Sequence, residues 1–343
     1  MDKWTSQPGK NNDVVISSRL RLARNFTDYM FVPKLSEKDS HKLVESVISK
    51  FKDEYGEHYR AIRMSDCNDI TKSSMKEQRI ISSHLIKNPC GAVLISPDES
   101  ASVMINAEDH IRIQVLTNGM NMHACYNKAN ELDDFIDRNF DYAFDEKFGY
   151  KTTYPTNLGT GMRVGYTLHL PGLSSSKKLN QIANEISRFG IRVKALYGDE
   201  NVDYGCLYQL SNQKTLGHTE KEIIKDLNDI VTQLVQQERE QRRYLYENNK
   251  FVSEDMAFKS YGVLRYARKM SLRDSLTLLS EFMLGVSLGI LKPKDETICI
   301  NQILQDIQPT VIKAHAARDI SDEETDVIRA DYLRHSMPEL EVE

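Results

Sequence analysis

Arg19 and Arg21, two residues apart in SSRLR at 17–21, point to one side of an extended segment and suit a bidentate grip on phosphate. Two further stretches could bring arginines to such a site. In NAEDHIRIQVL, Ile111, Ile113 and Val115 alternate with His110, Arg112 and Gln114, so one strand face is apolar and the other polar. Glu108 joins His110 and Arg112 on the polar face if the strand runs back that far. In YPTNLGTGMRVGYTLHL, a turn containing Pro155, Asn157, Gly159 and Gly161 passes into a strand. That strand carries Met162, Val164, Tyr166, Leu168 and Leu170 on one face and Arg163, Thr167 and His169 on the other. A loop of exposed N–H groups thus delivers an arginine to a polar sheet face, a place to hold an anion. The segment YGDENVDYG, bounded by glycines at 198 and 205 and holding three acidic residues, reads as a mobile lid. Each stretch also has a plain structural alternative: a solvated basic edge, an ion pair of Glu108 with Arg112, an ordinary turn and strand.

The elements that must position these residues are readable from periodicity. Ser36 to Phe51 predicts a helix with a capping-box-like S-E-K-D start and a stripe of Leu43, Val44, Val47, Ile48 and Phe51. Residues 91–95 and 101–106 predict a hairpin across SPDES, and 120–139 a helix. Another helix is expected from Gly172, with Leu179, Ile182, Ala183 and Ile186 facing inward, then strands at 191–196 and 206–210. Thr219 starts a helix through T-E-K-E that extends to about Tyr246. Beyond the polar connection ENNKFVSED only capped amphipathic helices are expected, beginning at about Ser253, Ser271, Thr297 and Ser321. His84 stands alone beside Leu85 and Ile86, the pattern of a packed residue.

A chain of 343 residues accommodates two domains, one of them large. A net charge of −5 argues against a general nucleic-acid binder. The five cysteines, odd in number and without a C-x-x-C pair, indicate neither a zinc knuckle nor a disulfide framework and fit reduced thiols in a cytoplasm. The first 12 residues are polar and expected to be flexible, and no apolar run is long enough to cross a membrane.

Taken together, SSRLR, His84, EDHIRI at 108–113, PTNLGTGMR at 155–163 and YGDE at 197–200 resemble the guanidino kinase (phosphagen kinase) catalytic domain over roughly 13–245. The chain is most similar to the bacterial protein-arginine kinases of the McsB type. The resemblance implies an α+β fold: a catalytic domain at 13–247 with a largely antiparallel sheet flanked by helices, and a helical C-terminal domain at 253–343. It implies ATP and Mg²⁺ as cofactors, with no metal bound by protein side chains.

Arg19, Arg21, Arg112 and Arg163 would clamp the nucleotide phosphates, with His84 contacting the nucleotide. The nucleotide site as a whole would comprise Ser17, Ser18, Arg19, Leu20 and Arg21; His84; Arg112; the run Arg163, Val164, Gly165, Tyr166 and Thr167; and the run Lys194, Ala195, Leu196, Tyr197, Gly198 and Asp199. Glu108 would be the catalytic carboxylate and Asp199 the second one, on the lid. A guanidinium acceptor is protonated and a poor nucleophile, so it needs a carboxylate that orients it and removes a proton. In TDVIRA at 325–330, Asp326, Arg329 and Ala330 match the family's phosphoarginine-binding R-D-x-x-R-A, with Thr325 in place of the first arginine.

Other departures are Ala107 for the first glutamate of N-E-E-D-H, Tyr154 for the reactive cysteine, Lys194 for a phosphate-contacting arginine, and Asp199 for glutamate. The resemblance further implies protein substrates with exposed arginines, a heat-shock repressor among them. A zinc-finger activator, a Clp-type ATPase/protease and a cytoplasmic location are also implied, with a homo-oligomer left open. The S-x-R-x-R segment begins at Ser17, without the helical domain of about a hundred residues that precedes it in kinases of free creatine or arginine. Two alternatives stay open: a kinase of a small free guanidino compound, and a weakly active adaptor that binds phosphoarginine.

Overall fold

The computed structural model describes residues 3–7, 9–199, 202–294, 298–316 and 318–341, with backbone alone at 199 and 202. Twelve strands run in chain order: β1 (Val15–Arg24), β2 (Arg60–Arg63), β3 (Ala92–Ile95), β4 (Ala101–Ile105), β5 (Ile111–Asn118), β6 (Phe144–Asp145), β7 (Gly149–Tyr150), β8 (Met162–His169), β9 (Ile191–Ala195), β10 (Gly198–Asp199), β11 (Val202–Asp203) and β12 (Leu207–Asn212). Eight form one sheet in the order β2-β3-β4-β5-β1-β8-β12-β9. Every neighbouring pair is antiparallel, and the other four strands form two short ribbons. The fold is α+β, as the sequence predicts.

Three helices cover one face of the sheet: α1 (Glu37–Tyr55), α4 (Met122–Asp137) and α7 (Glu220–Asn248). Ser36 caps α1, its hydroxyl accepting from Asp39 N–H, and Leu43, Val44, Val47 and Phe51 pack on the sheet. Thr219 and Glu222 complete a reciprocal capping box on α7. Leu20, Leu22, Ile113, Val115, Val164, Tyr166 and Leu168 meet these helices from the sheet side. Burying each such side chain contributes about 1.5–3 kcal/mol. The opposite face is covered at its β3–β4 end by α2 (Asp69–Glu77) and α3 (Ser83–Lys87), through Met75, Leu85, Val93 and Met104. Along β5, β1, β8 and β12 that second face instead carries polar and charged side chains.

Several expectations change in detail. The predicted helix from Gly172 is two, α5 (Pro171–Ser175) and α6 (Leu179–Ser187), because Lys177 between them has a positive φ that no helix accepts. The polar connection after α7 is nearly all helical: only Asn249 separates α7 from α8 (Lys250–Tyr266), since the stretch contains no proline or glycine. The helix expected at Thr297 lies outside the described residues at its start. The described sequence continues with α9 (Leu272–Ser287), α10 (Ile300–Asp306), α11 (Pro309–His315) and α12 (Asp322–Ser336), with Ser271 and Ser321 as caps. The N-terminal segment is not loose throughout, because Trp4 is buried and its N–H donates to the Asp98 carbonyl.

The C-terminal helices build their own core around Leu279, Phe282, Ile307 and Leu333, joined by Ile16 and Leu207 from the sheet. Polar contacts pin the two parts together. Glu77 accepts from Thr310 N–H at 2.8 Å, and Asn301 Nδ2 donates to the Ile16 carbonyl at 2.6 Å.

Candidate active site

Antiparallel pairing places side chains of facing residues on the same sheet surface. The register sets Arg21 opposite Arg163, Ala23 opposite Arg112, and Arg19 opposite Gly165. Three strands far apart in sequence therefore bring Arg19, Arg21, Arg112 and Arg163 to one patch. The turn that feeds Arg163 into this patch is held from beneath by Arg24, which points to the other face. Arg24 Nη1 donates to the Thr160 carbonyl at 2.9 Å, while its Nε and Nη2 hold buried Asp133. Gly161 has φ 63°, and a Cβ there would lie 2.6 Å from the Ala23 carbonyl oxygen, so this turn requires glycine.

The arginines differ in their partners. Arg19 donates through Nε to Gln114 Oε1 at 2.8 Å. Arg163 donates to Asn157 Oδ1 at 3.2 Å, the Asn212 carbonyl at 3.0 Å and the Thr156 carbonyl at 3.3 Å. Arg21 Nε is buried with no hydrogen-bond partner among the described residues. Burial, followed by the like charges of Arg19, Arg112 and Arg163, pushes the Arg21 guanidinium well below its ordinary pKa. Burial and neighbouring cations lower Arg19 and Arg163 in the same direction. Such a cluster gains most from an anion bearing several charges, so it fits a polyphosphate.

Glu108 lies in the turn before β5, which begins only at Ile111, so the strand does not run back to it. It nevertheless reaches Arg112, which donates to Glu108 Oε1. Ser82 Oγ donates to Glu108 Oε2 at 3.0 Å, and His84 Nδ1 lies 3.1 Å from Oε1. Burial alone would raise the Glu108 carboxyl, but the Arg112 charge and hydrogen bonding hold it below the usual carboxylate value. It is an ionised carboxylate beside a cationic patch. A cleft of about 370 Å³, lined in part by Val32, Leu35, Cys90 and Tyr154, opens onto Glu108.

Other expected residues fall elsewhere. His110 does not share the polar face: it is fully buried, its Nδ1 accepting from Phe26 N–H at 3.0 Å. His84 sits against Glu108 and Tyr154, the Tyr154 hydroxyl 3.1 Å from its Nε2. The side chains of Leu20, Val164 and Tyr166 are in the core, leaving Gly165 and Thr167 of that run on the arginine face. Ser17 is buried, and Ser18 Oγ donates to the Gly119 carbonyl. Ala195 packs on the main core, Leu196 and Tyr197 pack on the C-terminal core, and Lys194 is exposed on edge strand β9. The backbone of Gly198 and Asp199 pairs with β11, and the Asp199 side chain lies outside the described residues. Asp326 and Arg329 are in α12, within the C-terminal helices. Arg329 is buried there, donating through Nε to the Ile307 carbonyl at 2.8 Å and through Nη1 to the Met270 carbonyl at 2.9 Å.

Two basic residues near the patch escaped the sequence reading. Arg79 donates to Thr167 Oγ1 at 3.1 Å and is close enough to depress Arg19. Its positive φ follows from the turn after α2, which has no marker in the sequence. Arg192 on β9 depresses Arg163, whereas Lys194 does not figure among the groups that do. The alternation I-R-V-K-A carried that signal, since it sets Arg192 and Lys194 on one strand face.

A half-covered antiparallel sheet with an arginine cluster beside one ionised glutamate defines a phosphoryl-transfer class of site. The description "ATP:guanido phosphotransferase, C-terminal catalytic domain" matches residues 39–241, and "Protein-arginine kinase McsB C-terminal domain" matches 251–343. The chain belongs to the ATP:guanido phosphotransferase family, and it is an ATP-dependent phosphotransferase. Among its relatives is a protein-arginine kinase of Bacillus subtilis (strain 168), 36% identical over 98% of this chain and 93% of that protein. Another, from Clostridium novyi (strain NT), is 39% identical over the full length of both. Among solved structures, the duplicated taurocyamine kinase of Schistosoma mansoni is similar with a TM-score of 0.58 at 25% identity, over 67% of this chain and 33% of that one. A lombricine kinase shares the fold, with a TM-score of 0.58 at 17% identity over 69% of this chain and 72% of its own.

Proposed function

We propose that the chain is a protein-arginine kinase, transferring the γ-phosphoryl group of ATP to arginine side chains of proteins. The observation that carries this is the cationic patch of Arg19, Arg21, Arg112 and Arg163 with Glu108 at its margin, in a chain similar along its length to proteins of that name. Phosphoryl transfer spreads charge over three equatorial oxygens, and preorganised arginines stabilise it without a covalent intermediate. Glu108 takes a proton from the acceptor guanidinium, and the freed nitrogen forms the N–P bond. The bond from phosphorus to the bridging oxygen breaks, and ADP leaves with that electron pair.

Mg²⁺ would neutralise phosphate charge. Among the described residues no cluster of three His, Cys, Asp or Glu side chains could hold a metal, so phosphate oxygens would carry that ion. The cleft leading to Glu108 supplies a route for an arginine on a polypeptide.

In this reading residues 13–247 are the catalytic unit and 253–343 a recognition unit. Asp326 and Arg329 would contact phosphoarginine, Arg329 through Nη2, the guanidinium nitrogen that makes neither of its carbonyl bonds. Asp199 would be the second carboxylate on the lid, and the nucleotide runs would complete the ATP site. Substrates would include a heat-shock repressor, and the marked proteins would go to a Clp-type protease in the cytoplasm, with a zinc-finger protein as activator. Among the described residues no helix is long and apolar enough to cross a membrane.

The test is an ADP-release assay across an unfolded arginine-containing protein, free L-arginine and creatine, with mass spectrometry for acid-labile phosphate on arginine. Efficient labelling of the protein and little turnover of the free compounds is expected, because backbone must continue on both sides of the acceptor. Glu108→Ala abolishes labelling and leaves ATP affinity nearly unchanged. Fast, saturable turnover of a free guanidino compound with no label on protein would refute the reading.

A further inference from the structure

Tyr154, His84 and Glu108 form a continuous chain of contacts that ends at the carboxylate. The Tyr154 hydroxyl is 3.1 Å from His84 Nε2, the two rings meet edge to face at 5.7 Å, and His84 Nδ1 is 3.1 Å from Glu108 Oε1. The three residues come from separate elements: the loop between β7 and β8, helix α3 and the turn before β5. The partners fix the tautomer. An ionised carboxylate only accepts, so Nδ1 carries the imidazole hydrogen, and Nε2 is left to accept the tyrosine O–H.

We propose that His84 and Tyr154 are positioning residues for Glu108, fixing the orientation and charge of the carboxylate that takes the acceptor's proton. Cysteine in place of Tyr154 would be too short to fill the outer end of this chain. The charged and titratable groups around the imidazole are Glu108 with Arg112 behind it, Tyr154, Lys87 on the same helix, and Glu37 across the cleft. The geometry is independent of the acceptor, and the kinetic consequence rests on the protein-arginine kinase reading.

The test compares His84→Ala, His84→Asn and Tyr154→Phe in the full-length chain, each checked for an unchanged melting temperature. His84→Ala is expected to lower kcat about tenfold with KM for ATP unchanged, the effect of losing one hydrogen bond to a charged group. His84→Asn, whose amide can replace the Nδ1 donor, is expected to stay within about threefold of the parent. Ring ¹⁵N resonances give a readout that needs no acceptor: the Nδ1–H tautomer in the parent, and a mixture in Tyr154→Phe. A parent His84 found as the Nε2–H tautomer, or a wild-type kcat in His84→Ala, would overturn the proposal. Absence of turnover with every acceptor would instead refute the kinase reading, and the resonances would still decide the geometry.

Discussion

Arg21 and Arg163 face each other across β1 and β8, and the buried Nε of Arg21 has no hydrogen-bond partner among the described residues. The two residues are unequal members of one patch. Arg163 is tied by two acceptors to the loop before β8 and by a third, the Asn212 carbonyl, to β12, whereas Arg21 is held among like charges.

Arg21→Met is therefore expected to weaken ATP binding ten- to a hundredfold, since one charge-assisted contact contributes about 1.5–3 kcal/mol. The nucleotide-free protein should melt no lower than the parent, because a desolvated charge repelled by its neighbours is removed. Arg163→Ala should weaken ATP similarly but also lower the melting temperature, as Asn157 and the Thr156 and Asn212 carbonyls lose their donor. Calorimetric titration with scanning calorimetry separates the two. Equal melting behaviour would contradict the assigned difference.

His169 ends β8 at the contact with the C-terminal helices, its Nε2 2.8 Å from Ser280 Oγ and its carbonyl accepting from Arg242 at 2.8 Å. Burial and then the Arg242 charge push this imidazole well below its ordinary pKa, so it is neutral in the folded protein. The unfolded chain binds the extra proton, so stability falls as pH drops below about 6.5, by up to about 1.4 kcal/mol per pH unit until the folded value is reached. His169→Gln should flatten the dependence of melting temperature on pH between about 7 and 5. An unaltered slope would mean that other groups set it.

Arg329 binds the carbonyls of Met270 and Ile307, thereby joining α12 to the segments before α9 and after α10. Arg329→Ala leaves two carbonyl oxygens with one donor fewer, at a cost of about 2–5 kcal/mol. Loss of phosphoarginine binding in that variant alone would therefore not identify a ligand contact. Arg329→Lys, which keeps charge but cannot span both carbonyls, is expected to destabilise nearly as much. Urea denaturation followed by far-UV circular dichroism measures both.

Local patterns were legible wherever one face of an element meets one kind of surroundings. The cap and stripe of α1, the box on α7 and the two-residue alternation of β5 and β8 each report a single helix or strand against the core. The same patterns misplaced His110, because alternation was extended through Glu108 where the chain in fact turns and buries the imidazole against Phe26. They also missed Arg79, which is close to Arg19 only because the chain turns back after α2.

By itself the sequence determined the helical C-terminal region and the arginines of β1 and β8, because side-chain periodicity is a property of short segments, and its contiguous motifs determined the family and, through that resemblance, the α+β class. The tertiary structure decided the pairings that make a site of them: Arg21 with Arg163, His84 with Glu108 rather than with the arginines, and Arg329 inward rather than toward solvent. Those depend on strand order, register and the crossing of elements tens to hundreds of residues apart. They are set by how the whole sheet buries its apolar face, which no local window contains.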